Sequence, residues 1–149
     1  PGPQEILKHN GDIYISRKFS ISNSNDWTTT IHGATKIIGP QQIIKKDFGS
    51  GGACGGSILS FQSNIYRSFE GGMARMDNDL NLDLENKIGA IDQSLVLYNV
   101  EEINGNIWFA IVDKNYSDWS EVRIIDFNGY EVAAYEVGIL PGDFAYWHK

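Results

Sequence analysis

Cys54 is the only cysteine in this chain of 149 residues, so no disulfide within it can staple the fold. One thiol and three scattered histidines (His9, His32 and His148) also lack the ligand spacing of a structural zinc site. No apolar run approaches the ~20 residues of a membrane-spanning helix, and no signal peptide is legible. Basic residues are few, 12 Lys and Arg against 19 Asp and Glu, for a net charge of −7. The longest basic run is Lys45-Lys46, which argues against nucleic acid, whose phosphates are met by clustered Lys and Arg. The chain must be held by its core, and no cofactor is implied.

Hydrophobic residues make up 42% and charged residues 21%, an ordinary globular mix that argues against wholesale disorder. The length suits one β-rich domain over residues 1–149, able to bury roughly two-thirds of the surface its unfolded chain exposes. The opening Pro1-Gly2-Pro3-Gln4 has no methionine. Residues 1–11 therefore read as an extended leader or the edge of an excised domain, part of something larger.

Turn chemistry is plentiful. Ser94–Ile103 and Asn106–Asp113 flank Asn104-Gly105, and Glu121–Phe127 and Tyr130–Val137 flank Asn128-Gly129. Asn-Gly tolerates the positive φ that a two-residue type I′ turn needs at both positions, so both are expected to be tight hairpins in a C-terminal meander. Asp12–Ile21 alternates with period 2, placing Ile13, Ile15, Phe19 and Ile21 on one face as the expected buried set, interrupted by Arg17. Trp27–His32, Thr35–Ile38 and Gln41–Lys46 read as further strands, and Gly49–Gly56 as a glycine-rich joint. Ser57–Glu70 fits a strand, with Leu59, Phe61, Ile65 and Phe69 on one face. It also fits a helix capped by Ser57 and stopped by Gly71. Leu80, Leu82 and Leu84 alternate with Asp79, Asn81, Asp83 and Glu85 as a strand with one acidic face. No repeat of fixed period is evident. About nine to eleven short strands separated by turns predict an all-β fold, an antiparallel β-sandwich or jelly roll.

Catalytic constellations are weak. Cys54 in its glycine-rich loop, with His32 or His148 as base, or a carboxylate pair, would make the chain a hydrolase, but no spacing selects such partners. Asp77–Glu85 offers oxygens to calcium, yet it lacks the glycine and bidentate glutamate of an EF-hand loop and reads as a solvated face. Aromatics outside the strand cores carry more. Trp27 follows a polar loop; Tyr116 and Trp119 sit among Asn115, Ser117 and Asp118; Tyr146 and Trp147 lie in the C-terminal tail. An aromatic ring beside short polar side chains can stack on a sugar ring while its neighbours hydrogen-bond the hydroxyls; the same residues can instead cap the fold or pack at a subunit contact. Asn115-Tyr116-Ser117 also matches a glycosylation acceptor, usable in a eukaryotic secreted protein.

The sequence therefore predicts a non-catalytic recognition module that binds carbohydrate or a cell-surface receptor. Trp27, Asn115, Tyr116, Asp118, Trp119, Tyr146 and Trp147 are its candidate contact residues. An extracellular or virion-surface location suits that role, as the tip of a larger assembly. The alternative is a structural domain of a viral or phage particle working through homo-oligomer contacts; neither reading calls for a bound metal, nucleic acid or membrane insertion.

Overall fold

The computed structural model of the chain describes residues 2–20, 29–50, 56–92 and 94–145. Among them, the regular elements are the strands β1 (Gly2–His9), β2 (Asp12–Ser20), β3 (Thr30–Ile38), β4 (Gln42–Gly49), β5 (Ile58–Phe61), β6 (Asn64–Phe69), β7 (Gly72–Met76), β8 (Leu82–Ile88), β9 (Leu95–Ile103), β10 (Asn106–Asp113), β11 (Ser120–Ile125) and β12 (Glu131–Val137). They form three antiparallel sheets, each of four consecutive strands: β1–β4, β5–β8 and β9–β12. The fold is thus all-β and antiparallel, with three sheets where a sandwich divides its strands between two.

The same hairpin opens each four-stranded unit. Asn10-Gly11 joins β1 to β2 with φ of 50° and 88°, and Asn104-Gly105 joins β9 to β10 with 53° and 82°. Paired positive φ is the type I′ turn, whose twist matches that of the strands it joins. Gln62-Ser63 does the same between β5 and β6, with φ of 48° and 62° and no glycine to relieve the cost. Ser57–Glu70 is therefore neither one strand nor a helix but a hairpin, which the sequence conceals because its turn lacks Asn-Gly. Each turn is followed by a related triplet: Asp12-Ile13-Tyr14, Asn64-Ile65-Tyr66 and Asn106-Ile107-Trp108. The chain repeats after all, at uneven spacing that hides the period.

Asn128-Gly129 behaves differently from the expected two-residue loop. Here Phe127, Asn128 and Gly129 lie between Asp126 and Tyr130, and of the three only Gly129 has positive φ, 85°. The Asp126 amide donates to the Tyr130 carbonyl at 2.8 Å, and the Gly129 amide to the Asp126 carbonyl at 3.0 Å. Asp126 Oδ1 also accepts from the Asn128 and Tyr130 amides, so this aspartate selects the longer loop.

The units stack face to face. Tyr14 and Ala34 of the first unit pack with Ile58, Ile65, Met76 and Leu80 of the second, supported by Leu7, Ile44, Phe48 and Leu82. Leu59, Phe61, Tyr66 and Met73 of the second pack with Leu97, Val100, Ile107, Phe109, Ile111 and Ile125 of the third. The middle sheet is covered on both sides, and the first strands β1, β5 and β9 lie beside one another. A repeated hydrogen bond stitches them: Glu5 Oε2 accepts from the Ile58 amide at 2.9 Å, and Ser57 Oγ from the Val100 amide at 3.0 Å.

Three local expectations change. Residues 2–9, expected to be a leader, form β1 and carry Glu5 into that stitching. In β2, Tyr14 and Ser16 are the buried residues, while Ile13 on the isoleucine face is exposed, because the second unit packs on the opposite side. Asp79–Asn81, read as part of a strand with one acidic face, belongs to a turn: Asp77 Oδ1 accepts from the Asp79 and Asn81 amides, and Leu80 is buried with φ of 63°. Only Leu82 onward is strand.

Polar groups are trapped between the first two units. Arg67 is wholly buried, and its Nη1 donates to the Ser68 carbonyl at 2.6 Å and Ser68 Oγ at 2.8 Å. Burial lowers its pKa to about 10, opposed by Glu5, so it stays charged at neutral pH. His32, packed edge-on to Phe69, is brought down to about 4 by burial first and then by Arg67 and Lys18.

Two predictions follow from this packing. The folded state holds His32 neutral while the unfolded chain takes a proton near the ordinary value of 6.5. The unfolded state therefore binds more protons between these values, and His32's contribution to stability, complete above 6.5, is lost as pH falls toward 4. Urea denaturation across this range should show unfolding free energy falling with pH, with a shallower fall in His32→Gln. At Gly105 an added Cβ meets nothing within 4 Å, so Gly105→Val strains only the backbone. It should cost about 1 kcal/mol, and replacing Gln62-Ser63 by Asn-Gly should raise stability.

Candidate functional site

Exposed aromatics on a fixed frame are found between β10 and β11. The chain leaves β10 at Asp113, and that one carboxylate organises the next five residues. Its Oδ2 accepts from the Asn115 amide at 2.8 Å; its Oδ1 accepts from the Ser117 amide at 3.0 Å and the Asp118 amide at 3.2 Å. The Tyr116 amide donates to the Asp113 carbonyl at 3.2 Å, and Tyr116 takes a left-handed φ of 57°. Partial desolvation opposes the charge of Asp113. The amides of Asp118, Asn115 and Ser117 outweigh it and hold the carboxyl below its ordinary value.

This clamp presents side chains outward. Trp119 is 52% exposed and Tyr116 is also exposed. Tyr116 meets Tyr98 of β9 edge-to-face, with ring centroids 6.5 Å apart. Asp118 Oδ1 accepts from the Trp119 amide at 2.8 Å, fixing the backbone on which the indole stands. Exposed rings flanked by Asn115, Ser117 and Asp118 can stack on an apolar ring face and hydrogen-bond its polar rim.

Of the sequence candidates, the structure places Asn115, Tyr116, Asp118 and Trp119 on this one loop. Trp27, Tyr146 and Trp147 lie outside the described residues, as do Cys54 and His148. Asp113 and Tyr98 are additions. The signal for Asp113 was present: an aspartate closing a strand before Asn-Tyr-Ser is the setting of an Asx turn. Tyr98 carries no such signal, since its place depends on the register of β9 against β10.

Beyond Tyr98 the chain folds back over the third unit. The Leu140 amide donates to Ser120 Oγ at 3.2 Å, Phe144 packs on Trp108 at 5.9 Å, and Gly142 approaches Tyr98.

The acidic segment forms a second concavity, an open cleft of about 360 Å³ lined by Arg75, Asp77, Asn81, Leu82 and Asp83. Its carboxylates are engaged. Asp77 accepts from the Asn81 side chain as well as two amides, and both oxygens of Asp83 accept from Asn86 Nδ2. The Asn81 side chain heads the hydrogen bonds that lower the pKa of Asp77, and that of Asn86 does so for Asp83. Lys46 Nζ donates to Asn81 Oδ1 at the cleft edge. Among the described residues no three His, Cys, Asp or Glu side chains converge as a metal site.

Set against known proteins, no family model matches the chain, and no curated protein matches it.

Proposed function

We propose that the chain is a non-catalytic recognition module, binding a carbohydrate or a glycosylated cell-surface receptor through the loop Asn115–Trp119. The observation that carries this reading is the pairing of an exposed tryptophan with a backbone held by the Asp113 carboxylate. Binding surfaces gain affinity when the ordering cost is met before the ligand arrives, and a clamp of three amides on one carboxylate meets it. An extracellular or virion-surface location is the setting in which such a module acts. The three sheets support a blade-like stack of four-stranded units for the finer architecture, in place of the two-layered sandwich or jelly roll. The strand order β9–β10–β11–β12 supports reading the third unit as the C-terminal meander.

A second reading, an assembly domain working through contacts between copies, is favoured by the uncovered isoleucines of the first unit.

Trp119→Ala tests the recognition reading. On a glycan array, and against any receptor so identified, truncation of a central aromatic should weaken binding by ~2 kcal/mol or more. As an exposed loop residue it should change unfolding free energy by only about 0.5 kcal/mol. A loss of ~3 kcal/mol of stability would instead make the indole a structural cap. Asp113→Ala should reduce binding with Trp119 intact, and partial proteolysis should show faster cleavage between residues 113 and 119. Calcium should shift the melting temperature no more than an equal ionic strength of magnesium or sodium salt; a saturable shift, abolished by Asp79→Asn with Asp83→Asn, would overturn the solvated reading of the acidic segment.

A further inference from the structure

The threefold repeat makes the first unit's outer face comparable, position by position, with faces that the chain buries. Counting from the opening turns, Ile6 corresponds to Ile58 and Val100, and Ile13 to Ile65 and Ile107. Ile58 is 5% and Val100 2% exposed, but Ile6 is 69% exposed. Ile65 is 7% and Ile107 0% exposed, but Ile13 is 37% exposed. The second and third units use these positions to dock on the unit before them. Among the described residues, the first unit leaves Ile6 largely and Ile13 partly open to solvent.

The register extends the face across all four strands. Ile6 pairs with Ile15, Ile13 with Ile37, Phe19 with Ile31, and Ile37 with Ile43. Side chains of paired residues share a face, so six isoleucines and a phenylalanine lie together on this side of the sheet. Lys8, Lys45 and the Arg17–Asp47 ion pair at 2.7 Å give the face charges of both signs. An apolar face of this kind on an acidic protein marks an interaction surface.

We infer that this face docks on the same face of a second copy, giving a two-fold dimer through the first units. At the opposite end of the stack the chain's own fold-back lies over Trp108, with Phe144 on Trp108 and Leu140 bonded to Ser120, so the two ends present different surfaces. A like-to-like contact sets the two isoleucine faces against each other and closes with two-fold symmetry. The size suffices. Strands of eight or nine residues give a face of roughly 30 by 19 Å. Two such faces cover about 1,100 Å² in plan, just above the ~1,000 Å² minimum for a specific interface. The dimer gives the assembly reading its partner and rests on that reading alone.

Light scattering after size exclusion, from micromolar to millimolar protein, should give twice the 16.6 kDa chain mass. Ile13→Lys with Ile43→Lys, both at already exposed positions, should give a monomer with an unchanged β circular dichroism spectrum and cooperative unfolding. Tyr135→Lys, on exposed β12 of the third unit, should leave the dimer intact. A wild-type monomer throughout this range would overturn both the inference and the assembly reading. A dimer that survives the double lysine variant would overturn the assignment of this face and leave the assembly reading standing. Should the double variant lose cooperative unfolding, Ile6→Lys alone, at an isoleucine 69% exposed, repeats the same test.

Discussion

A four-stranded antiparallel sheet with apolar side chains on both faces needs a cover on each side, and everything in this molecule follows from how those covers are found. The second unit obtains both from its neighbours, with Ile58 and Ile65 against the first and Leu59 and Phe61 against the third. The third obtains one from the second and makes part of the other from its own chain, with Phe144 lying over Trp108. Among the described residues, the first obtains only one. Burial supplies most of the stability of such a stack, so its ends are where the energetic account stays open.

The interfaces are not purely apolar. Glu5 and Ser57 hold amides of the following unit, and Arg67 lies fully buried between the first two units. Such groups stabilise less than the isoleucines around them, because desolvation offsets much of what a buried charge gains. What they add is register: a sheet that slid by one residue would lose the Glu5 and Ser57 bonds together.

Much of the fold was legible in the sequence where local chemistry decides it. Asn104-Gly105 named its own turn, and period-2 alternation marked β2. What the sequence hid depends on long-range packing. Ile13 and Ile15 look like a core face by any periodicity, yet the buried side of β2 is Tyr14 and Ser16, because the second unit lies there. Gln62-Ser63 makes a turn without a turn's usual residues, held by the strands around it. At the candidate site the loop aromatics were readable as exposed residues in a polar segment. The setting of Asp113 before Asn-Tyr-Ser is that of an Asx turn, but how many amides its carboxylate gathers depends on the folded path of the loop.

The pairing of only consecutive strands bears on how the chain acquires its shape. Every sheet bond joins segments near in sequence, so loop-closure entropy is met in small steps and contact order stays low for an all-β protein. The hairpins at Asn10-Gly11 and Asn104-Gly105 have turns that local preference favours, whereas Gln62-Ser63 takes the same positive φ without a residue that favours it. Local preference therefore favours the two outer units, and the central one, although the best buried, depends most on the strands packed around it.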